Sequence, residues 1–108
     1  MLLVVKYKIR GIIKGAKLME QEYDLEKATF ETLMQLLEIG HEIEFIYKDK
    51  EYFISNFRDG RSLIVDSEEL CDYTHDHNKF VQMAKIDGMT IEELFKNHSD
   101  AIEFGTIY

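Results

Sequence analysis

The sequence predicts one small α+β domain, an antiparallel β-meander of three to five strands packed against two to three helices. Three observations carry this. Between residues 42 and 66, three short apolar–polar alternations are separated by turn signals. Phe30, Leu33, Met34 and Leu37 recur at helical spacing and form one apolar stripe. Thr90 and Glu93 have the spacing of a capping box ahead of an apolar pair. A meander and an amphipathic helix cannot bury their apolar faces alone, but each can cover the other.

Taken in order, residues 2–9 begin as an apolar run and then alternate, which reads as a strand. Gly11 and Gly15 punctuate the stretch after it. Asp24 is the expected N-cap of a helix over 25–38, and Gly40 supplies the left-handed residue that stops it. In residues 42–48, Ile43, Phe45 and Tyr47 point one way, while Glu42, Glu44 and Lys48 point the other. A tight turn is expected at Asp49-Lys50. A second strand is expected over 51–57, carrying Tyr52, Phe53, Ile54 and Phe57. Asp59-Gly60 is a turn signal, and residues 62–66 are the third strand. Residues 67–76 read as a polar loop with one helical turn at Ser67–Leu70. Asp76 is expected to cap a helix over 77–86, with Phe80, Val81 and Ala84 inward and Gly88 as its stop. Thr90 opens the last helix, with Met89 and Leu94 placed as a hydrophobic staple. Residues 101–107 are expected to form a final short strand.

Composition bounds the function. The 108 residues are 45% hydrophobic and 12% aromatic, enough for one core. The chain has no proline and one cysteine, Cys71, so an internal disulfide is excluded and a cytoplasmic location is expected. The apolar stretch Met1–Val5 is too short to span a bilayer, and its basic residues come after it, the reverse of a secretory signal. A net charge of −8 argues against direct binding of nucleic acid or an anionic membrane and favours a basic protein partner.

The charge is unevenly placed. Residues 1–17 carry Lys6, Lys8, Arg10, Lys14 and Lys17 and no acid, while residues 18–108 hold eight bases and all 21 acids, a net of −13. The expected organisation is therefore a basic segment, 1–18, ahead of an acidic domain, 19–108. Lys14–Met19 is also compatible with a coding sequence that places a ribosome-binding site before Met19. Met19 is accordingly expected to be an alternative start.

The richest chemical cluster is Cys71-Asp72-Tyr73-Thr74-His75-Asp76-His77. A thiolate and two imidazoles are zinc ligands by type. Cys71, His75 and His77 do not have the spacing of a zinc finger, and no second ligand cluster accompanies them. His75-Asp76 is similar to the His-Asp pair of metal-dependent phosphohydrolases, which need several further ligands. No phosphate-binding glycine loop is present. Glu68-Glu69 and Glu92-Glu93 sit at expected helix starts, where they complement the dipole. The expectation is no cofactor, no metal and no enzymatic activity.

Residues 37–96 resemble a class of short uncharacterised proteins from low-GC Gram-positive bacteria, their phages and mobile elements. The resemblance rests on Glu44-Phe45-Ile46-Tyr47-Lys48-Asp49-Lys50-Glu51-Tyr52-Phe53-Ile54 and on Ala84-Lys85-Ile86-Asp87-Gly88-Met89-Thr90-Ile91-Glu92-Glu93-Leu94-Phe95. The first is a hairpin whose turn often carries a glycine where this chain has Asp49. The second is a helix stop succeeded by a capping box. The resemblance implies a setting in mobile DNA, where small acidic proteins, anti-CRISPR proteins among them, inhibit host defence.

The expected function is thus a non-enzymatic acidic binding protein. Its expected target is the basic surface of a nucleic-acid-processing enzyme such as a CRISPR-Cas effector nuclease. The expected carboxylates are Glu42, Glu44, Glu51, Asp59, Asp66, Glu68, Glu69, Asp72 and Asp76. Glu42 and Glu44 share one strand face, about 7 Å apart. The alternatives are an oligomerising or housekeeping domain and a metal-binding protein using Cys71, His75 and His77. Tyr52, Phe53 and Phe57 cover both faces of the middle strand, so the second face is either more core, a homodimer contact or a partner site.

Overall fold

The computed structural model describes residues 6–11 and 19–108, with side chains described from Leu25 onward. The fold is α+β, with three α-helices, a five-stranded antiparallel sheet and two separate two-stranded hairpins among the described residues. Residues 2–5 of the expected first strand, Gly15, and the expected boundary at residue 18 lie outside the described residues. Strand β1 (Lys6–Gly11) pairs antiparallel with β2 (Met19–Asp24). Their register sets Lys6 opposite Asp24, Lys8 opposite Glu22 and Arg10 opposite Glu20. Lys6, Lys8 and Arg10 of the basic stretch therefore lie on a strand paired with an acidic one, while Lys14 and Lys17 lie outside the described residues.

Helix α1 (Phe30–Ile39) starts five residues later than expected. Thr29, not Asp24, is its N-cap, and the Thr29 hydroxyl accepts from the Thr32 amide at 3.1 Å. Asp24 instead ends β2. Leu25 and Ala28 are buried in the irregular segment between them, so apolar residues that look helical fill the core without helix. Gly40 stops α1 as expected, with φ +107° and its amide bonded to the carbonyls of Leu36 and Leu37.

The meander is β3 (Ile43–Tyr47), β4 (Lys50–Ile54), β5 (Leu63–Val65) and β6 (Glu68–Glu69). Its first turn is Lys48-Asp49, one residue earlier than expected, and Lys50 belongs to β4. Lys48 and Asp49 have φ of 50° and 62°, as the two central residues of a type I′ turn require. Asp66 and Ser67 repeat this with φ of 50° and 65°, so the chain turns back into the short strand Glu68–Glu69 and not into the expected helical turn. Strand β4 ends at Ile54 instead of residue 57. Beyond it, Phe57 and Gly60 exchange backbone hydrogen bonds across the turn at Arg58-Asp59.

Helix α2 (His77–Met83) is capped by Asp76 as expected but ends before Ala84, not at Gly88. Ala84 is extended, and β7 (Lys85–Ile86) pairs with β8 (Met89–Thr90) around Asp87-Gly88. Helix α3 (Ile91–Asn97) has the full capping box, with Glu93 N–H donating to Thr90 Oγ1 at 3.1 Å and Thr90 N–H to Glu93 Oε1 at 3.0 Å. Those bonds, backbone first, hold the Glu93 carboxyl below its usual range. Thr90→Ala is expected to cost about 1 kcal/mol, read as a lowered urea midpoint with an unchanged m-value. A 3-10 turn, Ser99–Ala101, leads to β9 (Ile102–Ile107), the expected final strand.

The five-stranded sheet has the order β6-β5-β4-β3-β9. Its inner face carries Ile43, Phe45, Tyr47, Tyr52, Ile54 and Leu63, all buried in one cluster with Leu33, Leu36 and Leu37 of α1, Phe80 and Val81 of α2, and Ile91, Leu94 and Phe95 of α3. Phe45 is its centre, stacked on Tyr52 with centroids 5.3 Å apart and edge-on to Phe95 at 5.2 Å. The expected inward sets of the meander and of α2 are all in this cluster.

Candidate functional site: the outer sheet face and the Arg61 anchor

Because side chains alternate along a strand, register decides which carboxylates share the outer face. One row across the sheet runs Glu44 (β3), Phe53 (β4), Ile64 (β5), Glu69 (β6). A second runs Glu103 (β9), Ile46 (β3), Glu51 (β4). Ile46, Phe53 and Ile64 are half-buried, while Glu51, Glu69 and Glu103 are exposed. The face is thus an apolar centre with carboxylates at both ends of each row. Strands lie about 4.8 Å apart, so Glu44 and Glu69 stand roughly 14 Å apart at Cα level and Glu103 and Glu51 roughly 10 Å.

Two of these carboxylates are held by tyrosines. Tyr108 Oη donates to Glu44 at 3.0 Å, and the Tyr108 ring packs edge-on to Phe53 at 6.1 Å. Tyr73 Oη donates to Glu69 at 2.6 Å, which pushes the Tyr73 phenol up to about 12. The Tyr108 phenol is raised by its bond to Glu44. Glu42 accepts from the backbone amide of Asn56 at 3.1 Å. The edges of the sheet are less suited to contact. Strand β6 has two residues, and β9 bulges at Gly105-Thr106, both lying opposite Glu44 alone.

The other expected carboxylates fall elsewhere. Asp66 and Glu68 lie at the β5–β6 turn, and Asp59, Asp72 and Asp76 lie in the turn and loop beyond β4. There Phe57 packs against Tyr73 with centroids 6.0 Å apart and is 46% exposed. Asp76 is committed to capping α2 through Lys79 N–H. Of the nine, Glu44, Glu51 and Glu69 are brought onto the rows of one face. Glu103, which completes the second row, was not anticipated, because its place depends on pairing with a strand far away in the sequence.

Cys71, His75 and His77 are not brought together. Cys71 is half-buried with Sγ 3.8 Å from Ser62 Oγ, His75 is exposed, and His77 Nε2 accepts from Arg61 Nε–H at 3.3 Å. Among the described residues, no group of three or more His, Cys, Asp or Glu side chains is arranged to hold a metal ion.

Arg61 is the unexpected residue. It is 1% exposed. Its Nη1 donates to the His41 carbonyl at 2.7 Å and more weakly to that of Ser55 at 3.4 Å, and Nη2 donates to the Leu37 carbonyl at 2.8 Å. Leu37 is in the last turn of α1, where carbonyls lack helical partners and the dipole is negative. Burial pulls the guanidinium down to about 10, still protonated at neutral pH. His41 is also buried, its Nδ1 donating to the Tyr108 carbonyl at 2.7 Å.

The chain is thus a small α+β domain with one sheet face closed by helices and the other solvated. Comparison with known protein families, curated proteins and solved structures finds no match to it. Among the described residues, no helix is long and apolar enough to cross a membrane.

Proposed function

We propose that this chain is a non-enzymatic acidic binding protein that inhibits a basic nucleic-acid-processing enzyme, most specifically a CRISPR-Cas effector nuclease. The observation that carries the reading is the outer sheet face, where Glu44, Glu51, Glu69 and Glu103 surround Ile46, Phe53 and Ile64. Carboxylates on a rigid sheet present charge without the ordering cost of a floppy acidic tail. The apolar centre supplies contact area that charge alone lacks. Effector nucleases hold their guide–target duplex in a positively charged channel, and a face of fixed carboxylates competes for it. The net charge accelerates encounter in a salt-dependent way.

The test is inhibition and direct binding against a panel of Gram-positive effector nucleases at low and high salt. The full chain is compared with a variant carrying Gln at 44, 51, 69 and 103. Binding at low salt that weakens at least about tenfold in the variant, the equivalent of 1.4 kcal/mol, supports the reading. No binding to any basic nucleic-acid enzyme at low salt overturns it. Tight binding unchanged by neutralisation assigns recognition to the aromatic pair of exposed Phe57 and half-buried Tyr73 instead.

A further inference from the structure

We infer that His77 and Arg61 form a pH-gated clamp that holds residues 71–76 against the sheet, closed at neutral pH and opened by mild acid. The inference is independent of any partner.

The segment is tied to the sheet at a few points. The Arg61 amide donates to the Thr74 carbonyl at 2.8 Å, and the Thr74 amide returns a bond to the Arg61 carbonyl at 3.2 Å. Ser62 Oγ donates to the Cys71 carbonyl at 2.9 Å. The side chain that ties this region to the guanidinium is His77, the first residue of α2.

That bond has one workable protonation state. Arg61 Nε can only donate, so His77 Nε2 must carry a lone pair and the ring must be neutral. A protonated His77 would set two cations 3.3 Å apart. Arg61 has no retreat, because its Nη atoms are held at 2.7 and 2.8 Å by the carbonyls of His41 and Leu37. Nor does it yield its proton at neutral pH. The charged group that must move is His77, and residues 71–76 adjoin it directly.

Other groups bear on the His77 ring. Glu38 of α1 and the adjacent Asp76 favour its protonation, whereas Arg61 and His75 oppose it. Burial, the largest influence, also disfavours the charged form, and the net effect is a pKa below the ordinary value. The sign comes from linkage. The open form, with an ordinary histidine, binds more protons than the closed form, so acid favours opening. The bias begins near pH 6.5, the ordinary value, and grows as the pH falls. The segment carries Asp72, Tyr73 and Asp76, so opening also releases the Tyr73 phenol from Glu69 and remodels this part of the acidic surface.

The test is amide hydrogen exchange on the full chain at about pH 7.5 and about pH 5.5, corrected for intrinsic rates. One unit below the ordinary histidine value, the open population should rise, by at most about tenfold. Protection at Arg61 and Thr74 should fall by that factor while Phe45 and Ile54 stay protected. His77→Gln keeps an acceptor for Arg61 Nε–H but cannot titrate, and it should keep the segment protected at both pH values. An NMR titration of the wild-type His77 ring gives a second readout, whose midpoint should lie below the ordinary value, with the protection loss beginning near the ordinary value and levelling off as the ring protonates. The clamp is overturned if wild-type protection is unchanged, if His77→Gln shows the same pH response, or if the His77 ring titrates at or above the ordinary value.

Discussion

Replacing Arg61 with leucine is expected to destabilise the domain by roughly 3–5 kcal/mol. The guanidinium joins three places distant in sequence, namely the last turn of α1 at Leu37, the entry to β3 at His41 and the exit of β4 at Ser55. Its loss strips the His41 carbonyl of a 2.7 Å charge-assisted bond and the Leu37 carbonyl of a 2.8 Å one. The orphaned His41 carbonyl costs roughly 1–3 kcal/mol, the Leu37 carbonyl keeps the Gly40 amide at 3.1 Å but loses its charge-assisted bond, and a side chain of different shape adds a packing penalty. Arg61→Lys should recover only part of this, since one ammonium cannot reproduce a planar fork that reaches carbonyls on separate elements. Urea unfolding checks both variants. A loss under about 1 kcal/mol for Arg61→Leu would mean that burying the cation costs nearly as much as its bonds return.

Gly60→Ala is expected to be comparably severe, about 3–4 kcal/mol, for a different reason. Gly60 has φ +117°, and a Cβ there would stand 2.5 Å from the backbone carbonyl carbon and oxygen of Thr74 and 2.9 Å from the His75 nitrogen. A left-handed alanine costs roughly 1–2 kcal/mol. The clash adds to that, because the obstacle is backbone that cannot rotate away and residues 71–76 would have to lift off. Gly88 is the control. Its φ is +77°, but nothing lies within 4 Å of its would-be Cβ. Gly88→Ala should therefore lose only the conformational part, roughly 1–2 kcal/mol. Urea midpoints compare the two, and equal losses would show that the Thr74 approach carries no weight.

Where the sequence reading succeeded, the signal was local. The alternation of Ile43, Phe45 and Tyr47 assigned the core face of β3, and Thr90 with Glu93 marked the start of α3. Where it missed, two local choices were nearly equal and packing chose between them. Asp24 and Thr29 are both good caps, and Leu25 and Ala28 continue a helical-looking pattern. The choice of Thr29 leaves Leu25 and Ala28 buried in irregular chain. Asp66-Ser67 carries no glycine, so nothing announced a left-handed turn, yet Leu70 N–H bonds the Leu63 carbonyl and holds the chain in a hairpin. Ala84 kept the helical spacing of Phe80 and Val81 and is buried with them, but it is already extended and leads into β7.

The sequence by itself determined the α+β class, the meander, the inward residues of its strands, the capping box and the acidity. All of these arise from side-chain period and from bonds spanning three or four residues, which are complete within one segment. Tertiary structure alone decided that β9 lies beside β3, and hence that Glu103 joins Glu44, Glu51 and Glu69 on one face. It also decided that an arginine next to a turn glycine would be the buried anchor of the domain. A guanidinium can leave water only where carbonyls from separate elements converge on it. That convergence depends on the register between segments some 6 to 24 residues apart, which no local pattern records.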